Sequence, residues 1–138
     1  MASLDGFLER DRLFELFGMD LEESREGYAR VAATVTDVCL NSHDIAHGGF
    51  IFSLADVAFA LAVNSVLPSV GVQWSLNLFR AALPGERVVA ECGLIHRGRS
   101  MLVVDYTVRN GEGRLLAQGQ ATALPAPKER YAQSAGDE

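Results

Sequence analysis

The sequence predicts an α+β domain in which one long buried helix is wrapped by a strongly bent antiparallel sheet. Two observations carry this. Phe50 to Val63 reads FIFSLADVAFALAV, with only Ser53 and Asp56 polar, and a helix apolar on nearly all sides is a buried one. Beyond it, Val70–Leu83, Arg87–Arg97, Met101–Asn110 and Leu115–Leu124 read as long strands with partial alternation of polar and apolar residues.

The elements follow in order. Leu8, Leu13, Phe14, Leu16 and Phe17 fall near helical spacing and Gly18 supplies a stop, so an amphipathic helix opens the chain within residues 1–18. Phe7, Phe14 and Phe17 are packing residues on this reading. Tyr28 to Val35 is a strand, and Asn41 to Gly49 a loop rich in residues that interrupt regular structure. Ala55, Ala58, Ala60 and Ala62 keep the central helix narrow, and Pro68 limits it. Pro84-Gly85, Arg97-Gly98-Arg99 and Asn110 to Gly113 are the turns between the later strands. Residues 1–124 form one domain, and 125–138 read as a flexible tail. A sheet wrapped around a helix on one face needs cover on the other, which points to a homo-oligomer.

Composition narrows the function. With 138 residues, 49% hydrophobic and 22% charged, the chain fits one ordinary globular domain. A net charge of −6 argues against a nucleic-acid surface, which needs clustered Lys and Arg. Residues 1–12 mix charge with apolar residues, unlike a signal peptide. The Phe50–Val63 run is too short to span a bilayer and carries a carboxylate at its middle. Cys39 and Cys92 lack metal-type spacing and read as reduced thiols of a cytoplasmic protein.

Asp56 is the strongest anomaly. Its helical neighbours are Phe52, Ser53, Phe59, Ala60 and Val63, and burying a carboxylate without partners costs several kcal/mol, roughly. No Lys or Arg lies within a turn or two to neutralise it, which favours a functional role over a structural ion pair. His47-Gly48-Gly49 stands where loop becomes helix. The first helical amides lack internal acceptors and sit at the positive end of the macrodipole. Glycine there admits a ligand's carbonyl, so the geometry suits an oxyanion hole, although a simple glycine turn reads equally well. Asn41 and Asp44 read as loop-capping residues. His43 and His47 are too few, and too close to glycines, to make a metal site. His96-Arg97-Gly98-Arg99-Ser100 concentrates positive charge at one turn and suits phosphate or pyrophosphate as well as it suits a solvated hairpin tip.

Taken together, His47-Gly48-Gly49, Phe52-Ser53-Leu54-Ala55-Asp56, Ala58-Phe59-Ala60, Ala62 and Asn64-Ser65 resemble the signature of PaaI-type thioesterases of the hotdog superfamily. The family includes phenylacetyl- and hydroxyphenylacetyl-CoA thioesterases. The resemblance runs from Tyr28 to Leu124 and takes in Leu78-Phe79-Arg80, the His96–Arg99 turn and Leu116-Ala117-Gln118-Gly119. It implies a hotdog fold and acyl-CoA hydrolysis without a cofactor, CoA being part of substrate and product. It implies Asp56 as general base or nucleophile, Gly48 as the polarising amide, and Asn41 and His47 as further site residues. Arg97, Gly98, Arg99 and Ser100 would line the CoA groove. It also implies a homodimer or homotetramer with composite sites, Asn41, His47 and Gly48 coming from one subunit and Asp56 from its neighbour.

Three departures stand out. Asp44 replaces a frequent Gly, and Ala81 a frequent Pro. Gly71 lies where some relatives place a water-orienting Ser or Thr, with Ser69, Gln73 and Ser75 as nearby polar residues. The chemistry fits a sparse site: a thiol leaves with a pKa of about 8.5, so it needs little acid assistance. One carboxylate and one amide suffice, and no Gly-x-Ser-x-Gly elbow is present. A hotdog hydratase or dehydratase, with His47 assisting, and a non-catalytic acyl-CoA binder are the competing readings.

Overall fold

The computed structural model describes residues 4–126; the flexible tail expected from the sequence lies, from residue 127 onward, outside the described residues. A 3-10 turn at Leu8–Arg10 leads into α1 (Arg12–Leu16). Two strands follow, β1 (Asp20–Arg25) and β2 (Tyr28–Thr34). The central helix α2 runs from Gly48 to Asn64. The remaining strands are β3 (Ser69–Leu78), β4 (Arg87–Arg97), β5 (Leu102–Asn110) and β6 (Leu115–Pro125). All six pair antiparallel in the order β1-β2-β4-β5-β6-β3. This is the hotdog fold.

The helix and the four later strands stand where the sequence puts them, with instructive differences. The single opening helix is two short pieces. Asp11 interrupts it as the cap of α1, accepting from the N–H groups of Leu13 and Phe14 at 3.1 and 3.2 Å. Gly18 is the left-handed stop, at φ +60°. β1 is an element the sequence reading lacks. β3 ends at Leu78 instead of Leu83, because the N–H groups of Phe79 and Arg80 both turn onto the Leu116 carbonyl. The apolar stretch beyond it is loop.

The core lies between α2 and the concave face of the sheet. Leu54, Leu61 and Val63 of α2 meet Val31 of β2, Val88 and Ala90 of β4, and Leu102, Val104, Tyr106 and Val108 of β5, all buried. The outer face mixes polar residues, Glu91, Asp105, Thr107, Gln118, Gln120 and Thr122, with the apolar Val89, Val103 and Leu124. Exposed apolar residues also follow one another along the β3 edge, at Val70, Val72, Trp74, Leu78 and Phe79. α2 likewise leaves one stripe incompletely covered, comprising Gly49, Phe52, Ser53, Asp56, Ala60 and Asn64.

Two close approaches fix the β3 edge. Gly119 of β6 lies so near β3 that a Cβ there would stand 1.9 Å from the Ser75 carbonyl oxygen. The gap lets Tyr106 donate its hydroxyl to that oxygen at 2.6 Å. A bulge between Gly71 and Gln73 adds an extra residue opposite β6. It brings Gly71 and Trp74, three apart, onto the same helix-facing side.

Candidate active site

Asp56 sits on the half-buried stripe of α2, in the wall of a cavity of about 520 Å³. Phe59, Val63, Gly71 and Trp74 contribute its apolar side, and Leu4, Asp5, Phe7 and Arg10 of the N-terminal segment complete it. Phe7 therefore lines a cavity as well as packing. Burial holds the Asp56 carboxyl above the usual carboxylate range, a weak bond from the Trp74 indole N–H pulls it back, and the charge of Asp11 raises it further. No Lys or Arg forms an ion pair with Asp56 among the described residues. A carboxylate held this way is a proton acceptor that water can reach.

The helix start is built from the preceding loop. Asn41 closes that loop: its N–H donates to the Ile45 carbonyl at 2.8 Å, and its Oδ1 accepts from the N–H of His43 at 2.8 Å. This is the loop-capping role read from the sequence. It leaves the Asn41 Nδ2 group without an acceptor among the described residues. Asp44 takes up the left-handed conformation at φ 59°. The Asp thus adopts the backbone that Gly would adopt more easily.

His47 is the N-cap of α2, its Nδ1 accepting from the Gly49 N–H at 2.8 Å. The proton of the neutral ring therefore resides on Nε2. Phe50 and Ile51 donate to the His47 carbonyl, which leaves the Gly48 N–H with no acceptor among the described residues. Gly48 opens onto a second cavity, about 270 Å³, with Asn41, Leu78, Phe79 and Arg80. Asn41 and Gly48 thus come together, with His47 beside them facing a neighbouring groove lined by Phe17, Cys39 and Ser53.

Within one chain, Asp56 does not join them. Eight helical residues, about 12 Å of rise, separate Gly48 from Asp56, and the two cavities share no lining residue. Nor does the Arg97–Ser100 turn line either cavity. Arg97 pairs loosely with Glu26 at 3.5 Å, and Arg99 has no ion pair among the described residues. The turn projects beyond the Leu102–Ala123 pairing, off the end of the sheet where Pro68, Ser69 and Ala126 rim the Asp56 cavity. Among the described residues, no three His, Cys, Asp or Glu side chains group as metal ligands, and no helix is long and apolar enough to cross a membrane. What sequence reasoning missed is the placement of Trp74 beside Asp56: strict alternation puts Gly71 and Trp74 on opposite faces, and only the bulge turns both toward the helix.

Comparison with known proteins agrees with the fold and the helix signature. Residues 43–117 match the thioesterase superfamily model. The acyl-coenzyme A thioesterase PaaI of Escherichia coli K12 is 36% identical over 110 residues, 79% of either chain. The structure of E. coli PaaI, from the phenylacetic acid degradation operon, superposes with a TM-score of 0.86 at 31% identity, covering 89% of this chain and 90% of that one. A hypothetical thioesterase protein of Streptococcus pneumoniae TIGR4 solved with coenzyme A gives 0.82 at 28% identity, covering 90% of this chain and 97% of that one. The chain belongs to the thioesterase superfamily and, within its hotdog-fold enzymes, to the PaaI-type group.

Proposed function

We propose that the chain hydrolyses an acyl-CoA thioester to free acid and CoA, with Asp56 activating water or attacking the carbonyl while the Gly48 amide holds the acyl oxygen. The observation that carries this is the pairing of two unspent groups: a carboxylate with raised pKa at an apolar cavity, and a helix-start N–H with no acceptor among the described residues. A thioester needs both. The relative solved with coenzyme A supports the ligand class.

Because these groups are far apart in one chain, the site is composite. Two copies of β3 paired antiparallel about their midpoints would set the Gly71–Trp74 end of one strand beside the Leu78 end of the other. That arrangement brings the Asp56 cavity of one subunit against the Gly48 cavity of the second, and covers the exposed apolar edge. The enzyme is accordingly a homodimer or homotetramer. The aromatic walls, Phe7, Phe59 and Trp74, suit an aryl-acetyl or medium-chain acyl group. The Arg97–Ser100 turn contributes phosphate contacts for CoA. Asn41 offers its Nδ2 group beside the Gly48 amide, and His47 caps the helix start by accepting from the Gly49 N–H, which leaves the Gly48 amide for the acyl oxygen.

The test is release of free thiol from a panel of acyl-CoAs, aryl beside straight-chain. Wild type is expected to turn over at least one of them and Asp56→Ala none. Release by Asp56→Ala at the wild-type rate would refute the assignment.

A further inference from the structure

We propose that Trp74 is the positioning residue that holds the Asp56 carboxylate, and that position 71 is glycine because the indole occupies the space a side chain would need. This rests on the reading of Asp56 given above and deepens it.

The steric part stands by itself. A Cβ on Gly71 would lie 2.3 Å from Cζ2 and 2.8 Å from Cη2 of Trp74, and 2.7 Å from Cε2 of Phe59. All three are ring atoms, not the loose end of a flexible chain. No side chain fits at 71 while the indole is in place. The indole itself is gripped edge-to-face by Phe52 and Phe59, with centroids at 5.9 and 5.8 Å. Those two residues precede and follow Asp56 by one helical turn. The ring is therefore held beside Asp56 in the wall of the same cavity, where its N–H counters the effect of burial on the carboxyl.

The chemical part concerns what else can do this. Glycine at 71 offers Asp56 no hydroxyl. The neighbouring polar residues do not supply one: Ser69 donates its hydroxyl to the Leu67 carbonyl at 2.8 Å, and Gln73 and Ser75 flank Trp74 along the strand and so face away from it. An indole N–H is a donor only. It can fix one carboxylate oxygen and leave the other for water, and it cannot compete for the water's proton.

Three measurements on the full-length protein test this. Trp74→Phe keeps an aromatic ring and removes the donor. It should lower kcat about ten- to a hundredfold, the range for a hydrogen bond to a charged group, and move the acid limb of kcat/KM to higher pH. A change confined to KM, with the pH profile unmoved, would make Trp74 a mere wall of the acyl cavity and overturn the proposal. Second, Trp74 is the single tryptophan of the chain, so its fluorescence reports the contact without turnover. Asp5, Arg10, Asp11 and Tyr106 also lie near enough to influence it, so the control is Asp56→Asn. The emission should titrate in wild type and lose that transition in Asp56→Asn; an identical transition in both overturns the proposal. Third, Gly71→Ser should lower the rate in wild type and raise it in Trp74→Ala, where the hydroxyl regains its space. The same loss in both backgrounds counts against the proposal. Should Asp56→Asn hydrolyse thioesters normally, the thioesterase role of Asp56 falls, whereas the fluorescence result still decides the Trp74–Asp56 contact.

Discussion

The Gly48 amide can be removed by mutation with little harm to the fold, because it sits at the first position of α2. Proline is favoured there, where its missing N–H is one the helix does not use. Proline also demands an extended residue before it, and His47 has φ −62° and ψ 140°. The capping bond survives, since it is the Gly49 N–H that His47 accepts. The one tight spot is the Leu78 Cδ1 methyl, 3.3 Å from where a Cβ would stand, and it is the mobile tip of an exposed side chain. Gly48→Pro should therefore fold with a midpoint near wild type, proline's restriction of the unfolded chain adding about 0.4–1 kcal/mol against that crowding. Its kcat should fall about 10²–10³-fold, the cost of one oxyanion donor, roughly 3 kcal/mol. Gly48→Ala, which keeps the N–H but adds the same crowding, should lose less than about tenfold, equivalent to 1.4 kcal/mol. Thiol release measured beside calorimetric unfolding separates the two effects. A folded Gly48→Pro with kcat within a fewfold of Gly48→Ala would show that the amide does not stabilise the transition state.

Two further predictions concern stability. Native Asp56 has a raised pKa, so the folded state holds its proton to higher pH than the unfolded chain does. Stability is then lost as pH climbs from the ordinary carboxylate value through the native one, and stays lost above it. Asp56→Asn should unfold at a higher temperature than wild type near pH 7, by about 3–6 °C per kcal/mol for a domain of this size, with the two converging in acid; an equal or lower Tm at pH 7 contradicts the assigned cost of burial. Gly119→Ala puts a Cβ 1.9 Å from the Ser75 carbonyl oxygen and 3.0 Å from Cε2 of Tyr106. Overpacking of about 1–3 kcal/mol, together with roughly 1 kcal/mol for the disturbed Tyr106 bond, should lower the urea midpoint markedly, and an unchanged midpoint would mean that the β3 edge is not held this tightly.

What the sequence revealed followed the strength of its periodic signals. α2 was legible because fourteen consecutive residues from Phe50 contain only two polar ones, and β4 to β6 because turn residues bracket them. β1 was not, since its sequence, DLEESR, carries no alternation: it is an edge strand, mostly exposed and paired on one side only. Leu83 was assigned to β3 because apolar residues continue past Leu78, but an exposed edge leaves apolar side chains in a loop as readily as in a strand. Asp56 announced itself as a charge in an apolar run, and Gly48 as a glycine at a helix start. The depth of burial was overstated, since a helical wheel cannot show that one stripe of α2 is left partly open. The place of Trp74 beside Asp56 escaped because a single bulge residue changes which side chains share a face, and bulges leave no periodic mark.

The crowding at position 71 also bears on the order in which this sequence can change. With the indole in place, a hydroxyl-bearing residue cannot be acquired there in one step, because its first carbon already collides. The tryptophan has to leave before any side chain can arrive at 71, so a change at one position presupposes a change at the other, and a chain that carries the indole is held to glycine there by sterics.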